Sequence, residues 1–172
     1  MLISIIIPTF NSSSTIQSNL DSIKKQTYMN YEIIVIDNNS TDETIEIVKK
    51  NNLKNIQMII ERDNGIYDAI NKGILKSNGD LISVLHSDDI YNHDDVLKNV
   101  INSFHYKKNI EIVYGDLVYV KNNDINSVLR YWKPGEFKKN IFLKGWQPPH
   151  PSFFAKKKLF ISKGLYKTEI GN

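Results

Sequence analysis

Two runs of almost continuous β-branched and aliphatic residues, at positions 2–7 and 33–36, constrain the fold of this chain most. Apolar residues at every position are typical of parallel strands that are covered by helices on both faces. Between the two runs, Ile16, Leu20 and Ile23 recur at helical spacing. Strands that alternate with helices predict an α/β protein, and the continuous apolar runs favour a mainly parallel central sheet.

The same alternation continues along the chain. Ser40 to Glu43 has the form of a capping box that opens a helix. Further elements are predicted at residues 56–60 (strand), 66–75 (helix), 81–85 (strand) and 96–104 (helix). After Glu111 the pattern changes to short strands at 112–114, 117–120 and 128–131, the last two linked across residues 122–124. We therefore expect the C-terminal part to be mixed.

Length and composition indicate a single globular domain over residues 1–172, because no linker or low-complexity tract interrupts the chain. The absence of cysteine excludes a disulfide framework, a thiol nucleophile and thiolate zinc sites. The apolar start lacks a basic flank and breaks at Pro8, unlike a signal peptide, and no run is long enough to span a membrane. We expect a cytoplasmic protein.

Charge is divided unevenly along the chain. Residues 1–132 carry 13 Lys or Arg against 17 Asp or Glu, a net of −4, whereas residues 133–172 carry nine Lys against two Glu, a net of +7. This basic end, which includes Lys156, Lys157 and Lys158, would suit an anionic membrane or a phosphorylated acceptor. The alternative is an ordinary solvated lysine surface. Nucleic acid is disfavoured, because the basic end has no Arg and no recognition motif accompanies it.

Polar residues follow each of the first four predicted strands. In an open α/β sheet, ligands collect at the carboxyl ends of strands. Asp88 and Asp89 are the most informative of these residues, since adjacent carboxylates at a rigid strand end can share a divalent cation that neutralises a diphosphate. An Asp-Asp turn before a helix is the alternative. Asp37 and Thr9 could similarly meet a nucleoside, although turn chemistry alone also explains Asp37.

Several segments, in order along the chain, resemble the family 2 glycosyltransferases of the GT-A fold. The similar segments are residues 4–11, 22–26, 32–37, 40–42, 63–73, 87–89, 114–116 and 149–154. The most specific is DNGIYDAINKG at 63–73, which is similar to a bacterial subgroup that builds surface polysaccharides. The resemblance implies a GT-A domain, that is, a Rossmann-like, three-layer fold. Its residues 1–110 would bind a nucleotide sugar, and its residues 111–172 would begin the acceptor-binding half, left incomplete.

The resemblance also implies residue roles. The donor would be held by Pro8, Thr9, Asn11, Asp37, Asn38, Asp68, Asn71, Lys72 and Asp88. Asp88 and Asp89 would bind Mn²⁺ or Mg²⁺, and His150 would lie on the acceptor side, although a lone His among prolines is also a common structural residue. Independently of the resemblance, Asp68 and Asn71 are one helical turn apart and share a face, so they can point into one pocket.

The sequence departs from the family pattern at three places. His86 occupies the first position of the Asp-x-Asp signature, and Asn38 replaces a second acid that often contacts the base, which leaves the donor nucleotide open. The catalytic base, usually Asp, is expected beyond Asn172, with Asp116 and Glu169 as the candidates within the chain. A base must reach the acceptor hydroxyl, so this departure bears on turnover.

Taken together, these features predict transfer with inversion from a nucleoside-diphosphate sugar, with uridine diphosphate (UDP) as the expected nucleotide, to a lipid-linked or oligosaccharide acceptor in bacterial glycan assembly. Peripheral membrane contact and a homo-oligomer are compatible with this prediction. A non-catalytic nucleotide-sugar-binding or scaffold protein derived by truncation is the main alternative. A phosphotransferase is disfavoured, because no Gly-x-x-x-x-Gly-Lys loop is present.

Overall fold

The computed structural model describes residues 1–106, 109–121 and 124–169. The strands are β1 (Ile3–Thr9), β2 (Tyr31–Asp37), β3 (Ile56–Ile60), β4 (Leu81–Val84), β5 (Ile112–Val113), β6 (Leu117–Lys121), β7 (Asp124–Trp132) and β8 (Phe154–Lys156). The helices are α1 (Ile16–Lys24), α2 (Thr44–Lys50), α3 (Ile66–Lys76), α4 (Val96–Tyr106) and α5 (Lys157–Lys163). Part of the predicted turn at 122–124 and of the C-terminal segment 164–172 lies outside the described residues.

The main sheet has six strands in the order β3-β2-β1-β4-β8-β5. β1 pairs in parallel with β2 and β4, and β2 pairs in parallel with β3. β8 returns between β4 and β5 and is antiparallel to both. The predicted α/β class, with a mainly parallel sheet and a mixed C-terminal part, is confirmed.

Both faces of the central strands are covered, which explains their continuous apolar sequence. In β1, Ile5 packs on one side with α1 and α4, through residues such as Leu20 and Leu97. Ile6 packs on the other side with α3, through Ile70. All seven residues of β1 are buried. The three layers therefore place the carboxyl ends of β1, β2 and β4 at one rigid edge.

Helix α3 lies unusually close to β1 because of Gly73. A Cβ atom at this position would lie 2.4 Å from Cγ2 of Ile6. No side chain fits in that space unless the Ile6 side chain, the helix or the sheet moves. The glycine in the DNGIYDAINKG segment thus has a packing role that fixes how α3 meets the sheet.

The predicted capping box at Ser40 is wrong. Helix α2 begins at Thr44, and its first turn has no capping bond from a Ser40 side chain. The Ser40 hydroxyl instead donates to Oδ2 of Asp37 at 2.6 Å and accepts from the backbone N–H of Asn11 at 2.9 Å. A contact with the neighbouring loop therefore replaces the local cap that the sequence favoured.

Strands β6 and β7 form a separate antiparallel hairpin with an irregular register near Val120. The predicted strand at 128–131 is the second half of the longer β7. Leu129 and Tyr131 of β7 are exposed on this hairpin. The segment that follows the hairpin, residues 133–153, leads into β8, and its Ser152 hydroxyl donates to the carbonyl of Gly115 just before β6 at 2.7 Å.

Candidate functional site

A cleft of about 490 Å³ opens at the carboxyl ends of the parallel strands. Its walls come from the loop after β1, the loop after β2, the start of α3 and the loop after β4, and include Thr9, Asn38, Gly65, His86 and Asp88. These loops follow neighbouring strands, since Thr9 is paired with Asp37 across β1 and β2. The predicted clustering of polar loops at one sheet edge is therefore present in the structure.

The first two loops are tied together by direct hydrogen bonds. Asn11 adopts a left-handed backbone conformation (φ 47°), and its Oδ1 accepts from the N–H of Thr41 at 2.9 Å. Thr44 Oγ1 accepts from the N–H of Ser12 at 2.7 Å. The Thr44 hydroxyl also donates to Asp42, and this bond, with backbone donors, holds the pKa of Asp42 well below its usual range. Asn11 therefore braces the cleft wall.

Asp37 supports the cleft from below and does not face it. Its side chain is fully buried, and its two carboxylate oxygens accept from the N–H (2.8 Å) and hydroxyl (2.6 Å) of Ser40. Asn38 borders the cleft directly, and its Oδ1 accepts from the N–H of Asp63 at 3.0 Å. An amide oxygen at position 38 thus links the second loop, which follows β2, to the third loop, residues 61–65 after β3.

Pro8 and Thr9 form the floor of the cleft. The Thr9 hydroxyl oxygen is buried and has no hydrogen-bond partner among the described residues. A buried hydroxyl without a partner is uncommon and costs stability, so it marks a position where a ligand could supply the missing bond.

Asp68 and Lys72 lie one turn apart on α3 and interact with each other. Lys72 Nζ is 3.4 Å from Asp68 Oδ2 and 3.3 Å from Glu61 Oε1, and it donates to the carbonyl of Arg62. Burial lowers the pKa of Lys72, but the bond to Glu61 and the two carboxylate charges outweigh burial and raise it. Lys72 is thus a firmly charged ammonium beside the third loop.

Like Asp68, Asn71 does not border the cleft. Its Nδ2 donates to the carbonyl of Tyr166 at 2.8 Å, and its Oδ1 accepts from the N–H of Tyr166 at 2.9 Å. Both ends of the amide are engaged with the C-terminal segment. Tyr166 lies 95 residues away along the chain, so helical spacing alone had no means of revealing this contact.

Asp88 and Asp89 occupy the loop after β4, as predicted. Asp88 is exposed at the rim of the cleft, and Asp89 is partly buried. Burial and the charge of Asp88 raise the pKa of Asp89 to about 6, against a weaker opposing effect of a backbone hydrogen bond. A cation beside these two carboxylates would relieve both effects. Within the described ranges, no group of three or more potential metal ligands is present.

His86 and His150 are in direct contact beside Asp88. Nε2 of His86 is 3.1 Å from Nδ1 of His150, whose Nε2 is 3.3 Å from the hydroxyl of Tyr166. Burial lowers the pKa of His86, and burial with the neighbouring His86 lowers the pKa of His150 to about 4. Tyr166 also stacks on Tyr67 of α3, with ring centroids 5.5 Å apart. The sequence analysis assigned no role to Tyr67 or Tyr166. Tyr166 connects the histidine pair to α3, because it contacts both His150 and Tyr67.

A second cavity of about 450 Å³ adjoins the first, and Asp88 borders both. Its walls are mainly apolar residues of α4, β5 and β6, with Asp89 and Asp116 among the polar ones. Glu169, the other candidate base, is exposed and borders neither cavity. Of the two candidates, Asp116 alone is placed on a cavity wall.

The predicted cluster at Lys156, Lys157 and Lys158 is largely engaged within the protein. Lys157 donates to the carbonyl of Ser77, and Lys158 forms an ion pair with Glu111 at 2.7 Å. Among the described residues, no helix is long and apolar enough to cross a bilayer.

Comparisons with known proteins agree with this geometry. The sequence model of glycosyl transferase family 2 matches residues 4–160. A PGL/p-HBAD biosynthesis glycosyltransferase of Mycobacterium tuberculosis is 32% identical, with 96% of this chain and 63% of that protein covered. An Escherichia coli UDP-Glc:alpha-D-GlcNAc-diphosphoundecaprenol beta-1,3-glucosyltransferase is 33% identical, with 83% of this chain and 55% of that protein covered. The chain thus spans less than two thirds of these relatives.

The fold is also shared with solved structures. A mannosyltransferase of Pyrobaculum calidifontis, in complex with GDP-Man and Mn²⁺, superposes with a TM-score of 0.74 over 98% of this chain and 48% of that one, at 19% identity. The predicted GT-A fold is therefore confirmed.

Proposed function

Because this chain belongs to glycosyl transferase family 2, we propose that it binds a nucleoside-diphosphate sugar in the cleft at the carboxyl ends of β1, β2 and β4 and transfers the sugar to a glycan or lipid-linked acceptor. One observation carries the proposal. One cleft is lined by Thr9, Asn38 and Asp88, which were predicted from sequence to bind the donor. These residues lie at or after the ends of three different strands.

The donor is assigned to a UDP-sugar. The Escherichia coli relative uses UDP-Glc by its name, whereas the Pyrobaculum structure holds GDP-Man. In this chain the nucleoside would meet the Thr9 hydroxyl, which has no partner among the described residues, and the Asn38 amide. Asp37 and Asn11 would act as supports. Lys72 provides positive charge near the third loop.

Asp88, with Asp89 beside it, would hold Mn²⁺ or Mg²⁺. These cations are often bound by one or two carboxylates together with substrate phosphates, and Asp88 and Asp89 supply two adjacent carboxylates in the loop after β4. When bound, the cation would stabilise the charge on the departing diphosphate. Burial, followed by the neighbouring charge of Asp88, raises the pKa of Asp89 to about 6, and a bound cation would favour its ionised form.

The second cavity is the proposed acceptor site. It shares Asp88 with the donor cleft, so an acceptor hydroxyl there would lie next to the transferred sugar. Inverting transfer needs a base that removes the proton from this hydroxyl. Asp116 is the candidate base on that wall, and His150 is enclosed behind His86 and Tyr166.

Sugar transfer can be tested directly. The protein would be incubated with radiolabelled UDP-sugars, Mn²⁺ and a lipid-linked acceptor pool extracted from bacterial membranes. We expect label to enter the lipid fraction, and Asp116→Asn to lower the rate by about 10²-fold or more with donor affinity unchanged. Donor binding without transfer would favour the non-catalytic alternative, and no binding of any nucleotide sugar would contradict the proposal.

A further inference from the structure

The segment from Trp132 to Trp146 forms an ordered surface that the proposed reaction does not use. We call residues 132–146 the aromatic strap. Three of its apolar side chains are strongly exposed: Phe137 (57%), Phe142 (57%) and Leu143 (86%). Single exposed apolar residues are ordinary on protein surfaces, but a fixed group of large ones marks an interaction site.

The exposed rings are held by Trp146. Ring centroids of Phe137 and Phe142 lie 6.0 and 5.3 Å from that of Trp146, and Tyr114 packs against the same indole at 5.6 Å. The indole N–H donates to the carbonyl of Pro134 at 2.8 Å. The polar group of Trp146 is thus satisfied inside the strap, which leaves Phe142 and Leu143 turned toward solvent.

Lysines surround these apolar residues. Lys133, Lys138, Lys139 and Lys144 are all exposed, against the single acid Glu136. None of the ion pairs in the described part of the chain involves these four lysines. By contrast, two of the three lysines at 156–158 are already bound to protein groups. The strap therefore carries four of the exposed lysines of the basic end, within one segment.

We propose that the aromatic strap docks on an anionic lipid bilayer, with Phe142 and Leu143 entering the interface and the lysines meeting lipid headgroups. The argument is charge complementarity combined with exposed apolar area, the two contributions that hold peripheral proteins at a membrane surface. Aromatic rings with lysines beside them suit the headgroup region. This surface does not depend on the proposed sugar transfer, because neither nucleotide nor metal contributes to it.

The test is co-sedimentation of the 172-residue protein with vesicles of phosphatidylcholine alone or with about one third phosphatidylglycerol. We expect binding to the anionic vesicles only, lost between about 0.05 M and about 0.5 M salt. Lys138→Gln with Lys139→Gln should weaken binding by about tenfold or more. The matched control is Lys24→Gln with Lys25→Gln, an exposed adjacent pair at the end of α1, which should retain most of the binding.

Leu143→Ser tests the apolar contribution, with Leu75→Ser as its control because Leu75 is also exposed (60%) but lies on α3. Leu143→Ser should weaken binding several-fold and Leu75→Ser should not. Trp146 emission should shift to the blue on binding, measured with Trp132 replaced by Phe. The proposal would be overturned if the strap and control variants had equal effects, or if no binding were seen at low salt. It would also be overturned if the protein formed a dimer that Leu143→Ser dissociates.

Discussion

Asn19 lies on α1 behind the loop that carries the two acids. Its Nδ2 donates to the carbonyls of His86 (2.8 Å) and Asp89 (2.7 Å), whereas its Oδ1 is buried and has no partner among the described residues. One fully buried amide therefore fixes both ends of the turn that presents Asp88 to the cleft. Asn19 does not line the cleft. It is therefore a positioning residue.

Asn19→Ala should loosen this turn. Two carbonyls would lose their donor inside the protein, so we expect a loss of roughly 1–3 kcal/mol in the free energy of unfolding, measured by urea denaturation. Asn99→Ala, at a site on α4 that only borders the second cavity, is the control. The assignment would be wrong if Asn19→Ala left stability and Mn²⁺-dependent nucleotide affinity both unchanged.

His150 makes stability depend on pH. Its folded-state pKa of about 4 lies below the ordinary value of 6.5, so in this interval the unfolded chain binds more protons than the folded one. Stability should therefore fall as pH drops from about 6.5 to about 4, by about 3 kcal/mol at most from this residue. His150→Gln should flatten the fall, and His105→Gln, exposed on α4, should not. A parallel loss in wild type and His150→Gln would refute this account.

Helix α3 is the element on which the site depends most. Its first turn follows Gly65, its face carries Asp68 and Lys72 toward the third loop, and its opposite end approaches β1 through Gly73. The same helix holds the C-terminal segment through Asn71. Its position therefore couples the donor cleft to residues 164–169.

Gly73→Ala should displace α3 from the sheet. The helix would gain up to about 1 kcal/mol from the better helix former, but the new methyl group would lie within contact distance of Ile6, and overpacking costs roughly 1–3 kcal/mol. We expect a net loss of stability. In an Ile6→Ala background the added cost should shrink, which a double-mutant cycle measures. Additive effects would show that the close approach is not the cause.

Asn71→Ala should release the C-terminal segment. Both hydrogen bonds to the Tyr166 backbone would be lost, so trypsin is expected to cleave after Lys163 and Lys167 several times faster, in line with an easier local opening. Asn64→Ala, in the exposed third loop, is the control. Unchanged cleavage at both lysines would show that stacking of Tyr166 on Tyr67 holds the segment alone.

At the scale of the molecule, the parallel sheet determines where the site lies. This location could be predicted from the sequence. Runs such as residues 2–7 and 33–36 identify buried strands, and polar residues after them must then meet at one edge. The insertion of β8 between β4 and β5 has no local signal. Ser40 was misread because a long-range partner outcompeted a local cap. The contact of Asn71 with Tyr166 has no local signal either.

The central claim is that Asp88 binds a nucleoside diphosphate through a divalent cation in the donor cleft. Calorimetry of UDP binding with and without Mn²⁺, on wild type and Asp88→Asn, tests it most directly, with Asp21→Asn, outside both cavities, as the control. We predict that Mn²⁺ strengthens binding by at least about tenfold in wild type and Asp21→Asn but not in Asp88→Asn. Affinity that is independent of Mn²⁺ and equal in all three proteins would contradict the account.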